Sequence, residues 1–288
     1  MLHLLALAGV LGISFSAVFV RMANVSPVTT AFYRAAYAVP VLALIAFARR
    51  GADRRPGRLR ILAAASGVLL AVDLGFWHES IALIGVGLAT VIANVQVVFV
   101  ALLAWLLHGE RPTRRMTLLI AAVMCGLLLT SGLARADAYG SAPGLGTVFG
   151  VLAGASYAGF LIMFRAANRS LVPPAGPLFD ATLGMALGAL VIAPADAGFA
   201  LAPSLPAHAW LALLALVSQV AAWLLIATAL PRLPAVETSV LLLVQPMFTL
   251  LWGVVFFGER LSALQWLGTL FVLAGVAKVA WPARPRLL

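Results

Sequence analysis

Apolar runs of membrane-crossing length alternate with short polar breaks along the whole chain. The runs fall at roughly 3–20, 28–48, 60–78, 87–107, 116–133, 144–164, 178–196, 208–228, 236–256 and 263–281. A stretch of about 17–25 apolar residues is long enough to span a bilayer as a helix. An isolated strand could not satisfy its backbone in lipid, so helices are predicted throughout. The longest break, Arg49 to Leu59, is too short for a soluble domain. The expected fold class is therefore an all-α membrane protein of ten transmembrane helices. Leu2 to Val20 lacks a basic segment before it, although Ser14-Phe15-Ser16 would pass as a cleavage site. It is read as a retained helix, because the internal repeat described below needs it.

Arginine placement orients the runs, since basic residues collect on the cytoplasmic side. With the N-terminus inside, the inner breaks hold Arg49, Arg50, Arg54, Arg55, Arg58, Arg60, Arg111, Arg114, Arg115, Arg165, Arg169, Arg232, Arg284 and Arg286. The outer breaks hold only Arg21, Arg135 and Arg260. Both termini are expected in the cytoplasm, which requires an even number of spans.

The chain also repeats itself. His108-Gly109-Glu110-Arg111 recurs as Phe257-Gly258-Glu259-Arg260, an offset of 149 at which Gln96 meets Gln245, Phe99 meets Phe248 and Gly126 meets Gly275. Arg21-Met22-Ala23-Asn24 resembles Arg165-Ala166-Ala167-Asn168 at an offset of 144. Each half holds five spans. Five is odd, so the second half enters the membrane from the opposite side, giving two inverted five-helix repeats (5+5) at 1–138 and 139–288. Inverted repeats are a recurrent basis of alternating access.

With these motifs the chain resembles the drug/metabolite transporter superfamily, specifically its EamA-type members. Gln245-Pro246, Phe248, Gly258-Glu259-Arg260, Gly268 and Gly275 follow the second-half pattern. The first half departs from it at Val97, where proline is frequent. The fourth helix is accordingly expected to run straighter than the ninth, in which Pro246 removes a backbone donor. The resemblance implies gradient-driven, often proton-linked export of small metabolites, amino acids among them.

Composition narrows the field further. The chain is 64% hydrophobic and 10% charged, with a mean hydropathy of +1.09, more apolar surface than a soluble globule could bury. A net charge of +10 would fit nucleic acid, but its basic residues lie mainly in short breaks between spans, so no nucleic-acid partner is expected. The lone cysteine, Cys125, is read as a packing residue.

Polar residues inside spans are candidates for function. The third helix carries Asp73, Trp77, His78 and Glu79. Asp73 and Trp77 are four apart and share a face, which suits an amine beside an apolar side chain. Arg34 on the second helix is expected at a similar depth, paired with Asp73 or Glu79. His78, Glu79 and Arg34 are the candidates for proton coupling; the bland alternative leaves His78 and Glu79 wet at the outer helix end. Gln96 and Gln245 form a repeat-related pair, and Asn94, two residues before Gln96, is expected to point elsewhere. Gln219 and Trp223 on the eighth helix are spaced as Asp73 and Trp77 are. Tyr157 lies on the sixth helix, with Ser156. Substrate contacts are assigned to Asp73, Trp77, Asn94, Gln96, Tyr157, Gln219, Trp223 and Gln245, around a cavity of helices 1, 3, 4, 6, 8 and 9. Glu110 and Glu259 look like structural helix ends, as do Asp180 and Asp196. Trp105, Trp210 and Trp281 fit an interfacial belt.

Other classes fit less well. The only lysine, Lys278, follows Ala277, so no P-loop exists. Gly144-x-Gly146 lacks the third glycine of a dinucleotide motif. Gly154-Ala155-Ser156-Tyr157 looks like an intramembrane serine protease, but such an enzyme needs a nearby histidine, and His78 and His208 lie toward the outer surface. His3, His78, His108 and His208 have no metal-ligand spacing. A channel would lack saturable flux. The expected function is a secondary carrier in a bacterial cytoplasmic membrane, exporting neutral or aromatic amino acids, with a drug-like metabolite as the alternative. No cofactor, metal or enzymatic activity is expected; the partners are a small-molecule metabolite, the bilayer and a proton, with the chain a monomer or homodimer.

Overall fold

The computed structural model describes residues 1–84, 86–130, 142–168, 173–258 and 262–280. Among these it is helical, with no strand. Eight helices are long and apolar enough to cross a membrane: α1 (Leu2–Ala23), α2 (Pro27–Ala48), α3 (Gly57–Ile84), α4 (Ala89–His108), α6 (Pro143–Ala167), α7 (Ala175–Ala195), α8 (Leu205–Arg232) and α9 (Ala235–Phe257). Two further helices, α5 (Arg114–Thr130) and α10 (Ala263–Ala280), pack on each other. The repeat boundary at 138/139 lies outside the described residues, as do Arg135, Arg169, Glu259, Arg260, Trp281, Arg284 and Arg286.

Local chemistry sets the helix ends. Ser26 caps α2: its Oγ accepts from Thr29 N at 3.3 Å, and Pro27 fills the first helical position, where no backbone donor is needed. Gly109 (φ +69°) and Gly258 (φ +66°) close α4 and α9 in the left-handed conformation, 149 residues apart. The Gly109 N–H faces the carbonyls of Ala104 and Trp105, and the Gly258 N–H those of Gly253 and Val254, again 149 apart. The repeat noticed in sequence is thus one repeated cap.

Bilayer helices associate through small residues that let backbones meet. A Cβ on Gly67 would stand 1.7 Å from the Ala181 carbonyl oxygen, so α3 and α7 cross at direct backbone contact. Gly184 meets the Ala64 carbonyl in the same crossing, and a Cβ there would lie 1.9 Å away. Gly126 of α5 presses on Gly268 of α10. Cys125, expected to pack, is instead exposed on α5. Asp196 is a helix-end residue as expected: its Oδ2 accepts from Val28 N at 3.1 Å. Asp180 is not, since it sits within α7 and pairs with Arg55.

Two features depart from the sequence pattern and matter for the site. First, α3 continues to Ile84, six residues beyond its apolar run. Asp73 therefore stands eleven residues from that end, about 16 Å at 1.5 Å per residue, deeper than an end at the close of the apolar run would place it. Second, three spans are interrupted. α1 breaks at Phe15, α4 at Asn94-Val95 and α9 at Leu243. Asn94 and Leu243 are equivalent at the offset of 149. The fourth helix is thus broken where the ninth is, although Val97 replaces the proline, and the expectation of a straight fourth helix is overturned. α8 also widens into a π-helix over Leu214–Ala222, a distortion that often marks functional sites.

Candidate functional site

The breaks converge on a cavity of about 380 Å³, in the range usual for small-molecule sites. Its walls come from Ser16, Ala17 and Val20 of α1, Thr30 and Arg34 of α2, and Asp73, Trp77 and His78 of α3, with Asn94 and Gln96 of α4, Tyr157 of α6, Trp223 of α8, and Gln245 and Pro246 of α9. The lining reaches Pro27, the first residue of α2, at the face opposite the arginine-rich segments. α2 is thus a main wall, beyond the six helices expected, and α5 adds Leu127.

Nine of the eleven residues singled out by sequence lie on this wall; Gln219 and Glu79 do not. Glu79 is exposed. Gln219 stands just behind the wall, 2% exposed, and organises it. Its Oε1 accepts from Arg34 Nε at 2.8 Å and its Nε2 donates to Thr182 Oγ1 at 3.1 Å. The wide turn of α8 delivers this side chain to α2. Arg34 therefore does not form the expected ion pair: no carboxylate of Asp73 or Glu79 comes within 4 Å of it among the described residues. Apart from Nε, its guanidinium has no hydrogen-bond partner among the described residues, and neither does the Asp73 carboxylate, which is 9% exposed. Both groups line the cavity.

The break in α4 accounts for another surprise. On an unbroken helix, residues two apart point about 200° apart. Across the turn at Asn94-Val95, both Asn94 and Gln96 reach the cavity. The Asn94 amide donates to the Thr90 carbonyl at 2.7 Å. Gln96 Oε1 and Trp223 Nε1 are buried without a partner among the described residues, two polar atoms still to be satisfied at the cavity floor. His78 is not at the helix end but on the wall, and its Nδ1–H donates to the Leu74 carbonyl at 2.6 Å. Below the floor, Phe160 and Trp223 pack edge to face at 5.1 Å, and Phe164 stacks on Phe160.

Sequence reading missed a cluster beneath those rings. Glu110 reaches across to α6, where its Oε1 accepts from Arg165 Nη1 at 2.7 Å. Its Oε2 accepts from Ala235 N at 3.2 Å, and Arg165 Nη2 donates to the Leu233 carbonyl at 3.0 Å. One carboxylate thereby ties the ends of α4 and α6 to the α8–α9 link. Burial pushes the Glu110 carboxyl up, but the bonds from Arg165 and Ala235 outweigh it and hold it below its ordinary value. A nearby clamp joins α1 to α9 through His3 Nε2 and Glu237 Oε2 at 3.3 Å. The available signal was the 144-residue kinship of Arg165 with Arg21, but nothing in sequence pairs Arg165 with Glu110.

The fold and this chamber define a multi-span membrane protein with a solute-sized, largely apolar cavity among its helices that carries a few polar side chains. The chain belongs to the EamA-like transporter family, matched over residues 1–132 and 144–281. It is 29% identical over 211 residues to the uncharacterized transporter YwfM of Bacillus subtilis (strain 168), a match covering 70% of this chain and 66% of that protein. It is 29% identical over 168 residues to the uncharacterized transporter YcbK of the same strain, covering 54% and 52%. The matches thus span just under two thirds and about half of these relatives. One crystal structure of a protein superposes with a TM-score of 0.79 at 19% identity, over 97% of this chain and 96% of that one, which shows a shared fold.

Proposed function

We propose that the chain is a secondary active transporter of a bacterial cytoplasmic membrane that exports neutral or aromatic amino acids by alternating access. The observation that carries this reading is the Arg34 guanidinium and the Asp73 carboxylate, neither in an ion pair among the described residues, on the wall of one aromatic-lined cavity. A zwitterion matches that pair. Its carboxylate would lie on Arg34, which Gln219 holds in place, and its ammonium on Asp73. Trp77, Tyr157 and Trp223 would take the side chain, and Asn94, Gln96 and Gln245 the remaining polar edges. Desolvated charges are costly to leave unmatched, so the cavity disfavours ligands with only one of the two groups.

The architecture that fits this mechanism is ten spans in two inverted halves, 1–138 and 139–288, with both termini cytoplasmic. The equivalent glycine caps and the paired breaks in α4 and α9 support it. The cavity lining ends at the face opposite the arginine-rich segments, and on the arginine-rich side the Glu110–Arg165 clamp closes it. Opening there requires that clamp to separate. His78, whose Nδ1–H is committed to Leu74, keeps Nε2 for proton exchange on the cavity wall; Glu79, exposed, would act only from outside the cavity. Nothing in the reading calls for a cofactor or for chemistry on the solute, and it holds for a monomer or a homodimer.

The test is counterflow in proteoliposomes with amino acids and their deaminated and decarboxylated analogues, with and without a pH gradient. Saturable exchange of intact amino acids, lost for both analogues, is expected. Saturable exchange that ignores either group would refute the zwitterion assignment, and no saturable flux for any compound would remove the carrier reading.

A further inference from the structure

A second hollow, of about 650 Å³, lies on the opposite side of the fold from the substrate chamber's mouth, between α2, the start of α3 and α7. Its apolar wall is Pro40, Ala43, Leu44 and Phe47 of α2. Leu44 is 73% and Phe47 64% exposed, so this face of α2 meets lipid. Its polar end holds Arg50, Asp53, Arg55, Arg60 and Asp180.

The charges at that end are unequally occupied. Arg55 takes both acids: its Nη2 donates to Asp53 Oδ2 at 2.8 Å and to Asp180 Oδ2 at 2.7 Å, and its Nε to Asp53 Oδ1 at 2.9 Å. Gly176 makes room for this, since a Cβ there would stand 2.3 Å from Asp53 Oδ2. Arg50 and Arg60 are exposed and have no carboxylate within 4 Å among the described residues. The Arg50 guanidinium instead lies 4.2 Å over the Phe47 ring, at the border of the polar and apolar ends. From Ala48, the last residue of α2, to Pro40 the helix rises about 12 Å, close to half of a hydrocarbon core of about 30 Å. The hollow thus offers two accessible cations at the membrane surface and an apolar trough one leaflet deep.

We propose that this hollow is a binding site for an anionic phospholipid. The phosphate lies between Arg50 and Arg60, and an acyl chain follows α2 from Phe47 to Pro40. Both acids of the hollow are held by Arg55, so neither is left to receive the ammonium of a zwitterionic headgroup. The trough gives a free phosphate ion nothing to fill.

Native mass spectrometry of the purified chain tests this, with phosphatidylglycerol, phosphatidylcholine and inorganic phosphate as probes. Phosphatidylglycerol is expected to stay bound in preference to phosphatidylcholine, and inorganic phosphate not to displace it. A basic residue near an anionic surface is worth roughly fivefold in binding, so Arg50→Gln with Arg60→Gln should cut the preference about twentyfold. Arg114→Gln with Arg115→Gln, away from this hollow, should leave it intact. Ala43→Trp fills the trough without changing charge and should also abolish the bound lipid. Equal retention of the two lipids, an unchanged preference in the Arg50/Arg60 variant, equal loss in the Arg114/Arg115 variant, or displacement by inorganic phosphate would each overturn the proposal.

Discussion

Replacing Glu110 with Gln should open the cavity floor toward the arginine-rich side. Gln keeps the shape and one acceptor, so Arg165 Nη1 retains a partner at the 2.7 Å position, but that bond is no longer between charges. Bonds to charged groups are worth about 1.5–3 kcal/mol and neutral ones about 0.5–1.5 kcal/mol, so roughly 1 kcal/mol is lost there. The Ala235 N–H, at 3.2 Å, loses its carboxylate acceptor, for about another 1 kcal/mol. With the Glu110 side chain 27% exposed, water recovers part of this. The clamped state should weaken by about 1.5–2 kcal/mol, or roughly 10–30-fold in its ratio to the opened state. Val97, fully buried next to Gln96, serves as the reporter. In a Cys125→Ser background, a Val97→Cys protein would be labelled with an impermeant maleimide from the arginine-rich side. The Glu110→Gln rate should rise by that factor at pH 7. Linkage gives a second readout. The carboxyl is held below its ordinary value of 4.5, so its contribution to the clamp is complete above that pH and is lost as the pH falls through the lowered value. Acidification slows maleimide addition to both proteins alike, because only the thiolate reacts, so the readout is the ratio: labelling with Glu110 intact, divided by that of the Glu110→Gln protein, should rise toward one as the pH falls below 4.5. Equal labelling of the two proteins at pH 7, with both equally folded by thermal melt, would refute the gating role.

Other outcomes follow from the same contacts. Asp73→Asn should weaken apparent affinity for an intact amino acid about 100-fold in counterflow, since it removes the proposed partner of the ammonium. Gln219→Leu should depress transport about 10-fold or more, because Arg34 loses the 2.8 Å bond that aims it, and Gln219→Glu should not recover the loss, because a carboxylate there would pair with the guanidinium and neutralise it. Gly67→Ala should prevent normal assembly, seen as loss of monodisperse protein, because its Cβ would meet the Ala181 carbonyl oxygen at 1.7 Å. Gly75→Ala, whose Cβ would make an ordinary 3.4 Å contact with Ile192, should assemble normally. Gly109→Ala should cost about 1–2 kcal/mol in thermal stability and Gly109→Asn less, because alanine tolerates the left-handed cap poorly.

Much of this molecule could be read from its sequence because lipid leaves few choices. Length and hydropathy forced helices, and the Gly109 and Gly258 caps, one motif at two places, exposed the repeat. The site was legible in composition for the same reason: Arg34, Asp73 and Gln96 are costly in a bilayer, and they do collect around one cavity. Hydropathy measures how apolar a stretch is, however, and says little about where a helix pauses. The turn at Asn94-Val95 could not be seen in a run of apolar residues, so Asn94 and Gln96 were assigned opposite directions. The end of α3 was misplaced because His78, Glu79 and Ser80 look like a polar boundary, although the helix absorbs them by turning Ser80 onto the Gly146 carbonyl.

Partner choice was harder still, and the proposed mechanism rests on it. Arg34 had two acids to choose from on α3 and instead takes a neutral glutamine 185 residues away. That choice has a physical consequence. A direct ion pair with Asp73 would have cancelled both charges and left a cavity suited to apolar solutes. A neutral acceptor orients the guanidinium without neutralising it, which is what the proposed zwitterion site requires. Arg55 shows the opposite arrangement at the membrane surface, where two acids consume one cation. Glu110 shows a third, in which one acid joins three segments. On the proposed reading, the same few residue types thus serve ligand, loop and gate. What separates the three is how many of each group's bonds the protein itself completes, a quantity fixed by helix breaks, glycine contacts and the wide turn of α8.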